Sequence, residues 1–151
     1  MTAKQYLEQV GVIRERIMDL NRREEEIRTI AEGLKAIVYD KDHVQVSPQN
    51  KMEEVVVELL EVQQKCVINV ARLHKEIEAR EEQISTLKPA HAKILRLRYL
   101  KYDKHGRPLG FHAIANRTGY SLDRAKHIHG EALQAFEDKY KDVLKDKVDT
   151  F

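Results

Sequence analysis

Four cationic or imidazole side chains, Arg124, Lys126, His127 and His129, crowd six residues of the stretch GYSLDRAKHIHGEALQAF, with Asp123 just ahead of them. Guanidinium and ammonium groups with no nucleophile or paired base nearby bind anions rather than make and break bonds. Ser121 is a good helix N-cap, because its hydroxyl can accept an orphan backbone N–H. The cluster therefore falls on the leading turns of a helix, where the helix dipole is already positive. Gathering cations there is unfavourable in isolation and becomes favourable when a polyanion lies against them.

The charge distribution points the same way. The formal charge of +2 hides a partition. Residues 1–87 hold 13 Lys/Arg against 17 Asp/Glu, a net of −4, whereas residues 88–136 hold 10 against 3, a net of +7. The last fifteen residues are nearly balanced, with 4 against 5. One basic third of the chain implies a polyanionic partner. At 151 residues the chain has the length of one domain, or of a small domain joined to an extended element. Abundant charge, few aromatics and no Trp favour helices with long solvated faces.

Other chemistry finds little support. Cys66 is the only cysteine, which excludes an intrachain disulfide, and it lies on an apolar stripe, so it reads as a small core residue. His127 and His129 stand two apart on a helix and point to different sides, and His105 and His112 flank a loop without a Cys or carboxylate pattern. Gly106 and Gly110 flank a proline and precede no Lys-Ser or Lys-Thr, so no phosphate-binding loop is expected. Neither an enzyme, a metal nor a cofactor is expected. The opening MTAKQYLEQVGVIRERI has no uninterrupted apolar core, and no stretch approaches the ~20 apolar residues of a membrane span. A cytoplasmic protein is the expectation.

The elements that must position the cluster are helical. From Tyr6, steps of four and three give Val10, Ile13, Ile17, Leu20, Glu24, Ile27, Ala31, Leu34 and Val38, a heptad seam with one polar member. A second seam runs Met52, Val56, Leu59, Gln63, Cys66, Val70, Leu73, Ile77, Arg80, Ile84 and Leu87. The intervening YDKDHVQVSPQN reads as a loop. Two helices of about 50 Å, at ~1.5 Å per residue, would bury their seams against each other as an antiparallel hairpin or against a second chain. Glu24, Gln63 and Arg80 are expected to set register or partner number rather than to perform chemistry.

Beyond residue 87, Pro89 suits the first turn of a new helix, and AHAKILRLRYL supplies its apolar face through Ile94, Leu95 and Leu97. KYDKHGRPLG reads as a loop. A short helix over 111–118 then meets Gly119, which can adopt the left-handed conformation that ends it. Ser121 starts the next helix, with Ala125, Ile128, Ala132, Leu133 and Phe136 on one side. A small residue at 115 and apolar residues at 114, 120, 125 and 128 are what a helix-turn-helix needs to fix its crossing. The second helix of that motif places its leading residues in the major groove of DNA. Ser121, Leu122, Asp123, Arg124, Lys126 and His127 occupy that region and Arg117 precedes it, so these seven are the candidate DNA-binding residues. Arg reads guanine in bidentate fashion, and Asp accepts from a cytosine amine.

From ILRLRY through GRP, AIANRTGYS and DRAKHIHGEALQAF, roughly residues 88–137, the chain resembles region four of bacterial sigma factors. Arg124, Lys126, Ile128, Ala132 and Leu133 match that family's recognition-helix pattern, and Asp123 matches its acidic base-reading position. His127 stands where the family usually has Gln, and Leu122 where it has Arg. The whole chain is similar to small phage and prophage proteins with sigma-like C-termini, related to the ArpU and RinA late-gene regulators. That resemblance implies a late-gene activator acting through host RNA polymerase on double-stranded DNA at the nucleoid. With no aromatic-rich melting region, the chain is expected to assist initiation rather than to open DNA alone.

The expected fold is thus all-α, a long N-terminal helical hairpin (coiled coil) followed by a sigma region four-like helix-turn-helix. Residues 1–87 would form the hairpin, an oligomerisation and spacing element joining copies into a homo-oligomer. Residues 88–138 would bind DNA, and residues 139–151 would be a charged tail. Two rival functions share these features: a small terminase-like packaging protein, and a coiled-coil adaptor that docks an acidic protein.

Overall fold

The computed structural model describes residues 1–40 and 48–146, and side chains outside 37–50. Most of the expected loop, at 41–47, and the last five residues of the expected tail lie outside the described residues. The elements are α1 (Ala3–Asp40), α2 (Pro48–Ser85), α3 (Pro89–Leu95), α4 (Phe111–Thr118), α5 (Leu122–Lys139) and α6 (Lys141–Asp146), with a π-helical turn at Arg96–Leu100. Every described element is helical, and one isolated bridge pairs Tyr102 with Pro108.

Both long helices exist because a stripe of apolar side chains recurs without an interrupting proline. Helix α1 begins on a capping box: Gln5 N–H donates to Thr2 Oγ1 at 3.2 Å, and Thr2 N–H donates to Gln5 Oε1 at 2.9 Å. This reciprocal pair satisfies two backbone donors that a helix start leaves open.

The chain divides into two compact units, and the division falls within the long helices rather than at residue 87. One unit is Glu15–Lys75. There the seams close on each other through Ile17, Ile27 and Ala31 of α1 and Val56, Cys66 and Leu73 of α2, all buried. Gln63 Nε2 donates to Glu24 Oε1 at 2.6 Å, so the two polar interruptions of the seams satisfy each other. Sliding one helix would leave both half-buried groups unpartnered at a cost of about 1–3 kcal/mol each, which is how a polar pair sets register.

The other unit combines Met1–Arg14 with Glu76–Phe151. Its main core gathers Ala3, Tyr6, Leu7 and Val10 of α1, Ile84 of α2, Ala92 and Leu95 of α3, Ala132 and Phe136 of α5, and Leu144 of α6, with Tyr99 and Leu100 from the π-helical turn. The start of α1 is therefore part of this unit. Leu7 lies beside the seam that Ala3, Tyr6 and Val10 share, and Ala3 N–H donates to the Glu137 carboxylate at 3.1 Å. An anion at a helix N-terminus is favourable. The last described residues, expected as a charged tail, instead form α6, because Leu144 finds room in the core.

Arg80 ties α2 to α1 in this unit. It is fully buried, its guanidinium 4.2 Å from the Tyr6 ring centre. Nε donates to Tyr6 O at 3.2 Å, one terminal nitrogen to Gln9 Oε1 at 2.9 Å, and the other to Glu76 O at 2.7 Å and Glu76 Oε2 at 3.0 Å. The cation is tolerated because these acceptors replace its water. Arg80→Ala strands the acceptors and opens a void, and should lower unfolding free energy by about 3 kcal/mol. Arg80→Met, which refills the volume, should cost clearly less; urea denaturation of the two variants measures the difference.

Candidate nucleic-acid interface

The interface is built outward from a second, smaller core. Ile94 of α3, Leu109, Ile114 and Ala115 of α4, and Ala125 and Ile128 of α5 are buried together, with Leu97, Phe111, Ala113 and Tyr120 packed around them. Alanines at 115 and 125 let α4 and α5 cross closely, since a longer side chain at either position would hold the backbones apart.

The turn between these helices has two fixed points. Gly119 adopts φ +74°, a left-handed conformation that other residues enter at a cost, and its N–H closes on Ala115 O at 2.9 Å. Two residues on, Arg124 N–H donates to Ser121 Oγ at 3.2 Å and Ala125 N–H to Ser121 O at 2.9 Å. Ser121 thus serves as the cap of α5, and its hydroxyl is already engaged there.

Helix α5 is then divided lengthwise. Ala125, Ile128, Ala132 and Phe136 are buried, whereas Asp123, Arg124, Lys126 and His127 are exposed on the opposite side of its first two turns. Leu122 is half-buried, and Arg117 is exposed on the last turn of α4. The candidate residues therefore lie together at the α4–α5 turn, their cations outward. His127 Nε2 lies 3.2 Å from Glu131 Oε1, one helical turn on, and the other oxygen of that carboxylate lies 3.8 Å from His91 Nε2. Glu131 thus draws His127 back along α5, while Arg124 and Lys126 keep their outward charge.

His129 belongs to the interior. Its ring stacks on Tyr99 at 5.7 Å, meets the edge of Phe111 at 5.1 Å, and its Nε2 lies 2.9 Å from Tyr99 Oη. Burial, then the nearby Arg98 and Lys4 charges, push its pKa down to about 4. The Tyr99 hydroxyl is pushed up to about 12, mostly by burial. A neutral imidazole and a neutral phenol therefore share one hydrogen bond. Arg98 backs this pocket: it lies over Phe111 at 5.3 Å and donates to Leu109 O at 2.7 Å. Residue types alone gave no sign of this contact, although His129 sits one step after Ile128 on the buried side of α5.

The loop before α4 is ordered by Asp103. Its carboxylate accepts from His105 N–H at 2.8 Å, Arg107 N–H at 2.9 Å and Arg107 Nε at 3.1 Å. The Arg107 backbone bond is the main reason its carboxyl is held below the ordinary Asp value. Among the described residues, no group of three or more His, Cys, Asp or Glu side chains is placed to hold a metal ion, and no helix is long and apolar enough to cross a membrane.

Residues 84–136 match the family model of sigma-70, region 4, over about a third of the chain. No curated protein and no solved structure matches the chain. The matched span runs from the end of α2 to Phe136 and takes in all of the smaller core and the α2, α3 and α5 members of the main one. Residues 84–136 thus carry a helix-turn-helix of the sigma region 4 type, a DNA-binding module, which points to a regulatory role at DNA.

Protonation of His129 supplies a check on the packing behind the interface. The folded state holds this imidazole neutral until pH falls to about 4, whereas an unfolded imidazole takes up its proton near pH 6.5. Its contribution to stability is therefore complete above about pH 6.5 and is lost progressively as pH falls toward 4. Thermal melts of the wild type and His129→Gln should converge over that window, the variant losing less stability on acidification.

Proposed function

We propose that this chain is a sequence-specific transcriptional regulator that docks the leading end of α5 in the major groove of duplex DNA. Arg117, Ser121, Leu122, Asp123, Arg124, Lys126 and His127 form the contact surface. Arg124 and Asp123 read base edges. Lys126 and Arg117 engage phosphates, and the Ser121 cap holds the leading turn in place. The observation that carries this reading is the lengthwise division of α5, in which an apolar side locked into two cores forces a basic side outward.

The finer assignment is a late-gene activator of a phage or prophage, working with host RNA polymerase in the bacterial cytoplasm and assembling as a homo-oligomer through its long helices. It rests on the sigma region 4 match together with the resemblance to ArpU- and RinA-like regulators read from the sequence. A terminase-like protein would instead bind its packaging site without responding to polymerase, and an adaptor would bind no duplex.

Selection from a random duplex pool, followed by affinity measurement on variants, tests the reading. Arg124→Ala should cost about 1–3 kcal/mol of discrimination at one base position, whereas Lys126→Ala should weaken all sequences alike and reduce the salt slope by about one. Variants that bind the selected site as the wild type does would overturn the proposed docking.

A further inference from the structure

Helix α2 carries a second apolar stripe that α1 does not cover. Val57, Leu60, Val67 and Ile68 are 55, 37, 54 and 60% exposed. With the exposed Gln64 and Ala71 they recur at heptad spacing within an arc of about 100°, centred about 120° from the seam that faces α1. Among its described side chains, helix α1 has no counterpart. Its exposed Val12 and Ile30 share an azimuth but are separated by Arg16, Asp19, Arg23 and Glu26, and Met18 lies elsewhere on its circumference. An uncovered stripe of this regularity is the pattern of a helix–helix interface.

The charges around the stripe say what covers it. The N-terminal end is acidic, with exposed Glu53, Glu54, Glu58 and Glu61, and the C-terminal end is basic, with exposed Lys65, Arg72 and Lys75. A second α2 laid parallel would set Glu against Glu and Lys against Lys. Laid antiparallel about residue 64, it sets Glu53 opposite Lys75 and Val57 opposite Ala71, and brings Leu60 against Ile68. The glutamates then face Lys65 and Arg72 along the same flank, as equivalent flanks do in antiparallel pairs. Such a surface is its own complement, which is the requirement for a two-fold interface. Gln64 of each copy meets its equivalent at the axis, where two carboxamides can each donate and accept.

From this juxtaposition we infer that the chain forms a two-fold dimer in which the α2 stripe of one copy packs antiparallel on that of a second, with Gln64 at the axis. The inference deepens the self-association proposed above by naming its face and polarity, and it does not depend on DNA binding.

The test uses the full chain. Sedimentation equilibrium at micromolar concentration should give twice the chain mass. Leu60→Glu with Ile68→Glu should shift the protein to monomer while leaving its helical circular dichroism unchanged, since both residues are exposed in the single chain. In a Cys66→Ala background, Gln64→Cys should cross-link to itself under mild oxidation, because residues at the axis come within disulfide range. Glu53→Cys and Lys75→Cys should cross-link when mixed and not singly. A wild-type monomer would overturn both the dimer and the proposed self-association. A dimer that survives the paired glutamates, or that cross-links through Val57→Cys rather than Gln64→Cys, would overturn the face or its polarity and leave self-association standing.

Discussion

The close approach of α3 and α5 depends on side chains that are nearly absent. Ala92, Ala125 and Ala132 are all buried, and they let two helices that also carry the buried Ile94, Leu95, Ile128 and Phe136 lie close together. Larger residues at these positions would force off-rotamer packing or a backbone shift, at a cost of about 1–3 kcal/mol each. Because α5 contributes to both cores, Ala125 and Ile128 to one and Ala132 and Phe136 to the other, its rotation about its own axis is fixed at two points. That fixed rotation decides which side chains of its leading turns reach solvent.

Charge and packing then divide the work. Three polar groups in or beside the cores are each matched: Arg80 by carbonyl, amide and carboxylate oxygens, Glu24 by Gln63, and His129 by Tyr99. These matches specify one register and one crossing, and they leave the net positive charge of the C-terminal third on the surface. The residues proposed to meet DNA are consequently held by a rigid scaffold rather than by a loop, which lowers the ordering cost of binding.

The all-α architecture, the two long helices and the helix-turn-helix were legible in the sequence because each rests on a local signal. Heptad spacing marks the seams, Gly119 supplies the left-handed cap and Ser121 the next N-cap. What was not legible depends on which elements meet in space. The first fourteen residues read as the start of a seam, yet Ala3 at its head and Leu7 beside it bind them into the C-terminal unit. Arg80 read as a seam interruption, and only its four acceptors, one of them 74 residues distant, explain a buried cation. Part of the expected charged tail forms α6 through Leu144 and Val143, since net charge says little about individual apolar side chains. Of the candidate contact residues, their clustering at one turn follows from helical geometry. The pairing of His127 with Glu131 could have been suspected from the i, i+4 spacing.

In the proposed docking, duplex DNA meets the outward side of α5 while its inner side stays locked to α3 and α4. Amide chemical shifts of the isotope-labelled protein, followed as a selected duplex is added, report this most directly. The largest changes are expected at residues 117–127, with the buried Ile128, Ala132 and Phe136 little affected. Changes centred instead on residues 15–75, or none at any position on adding saturating duplex, would contradict it.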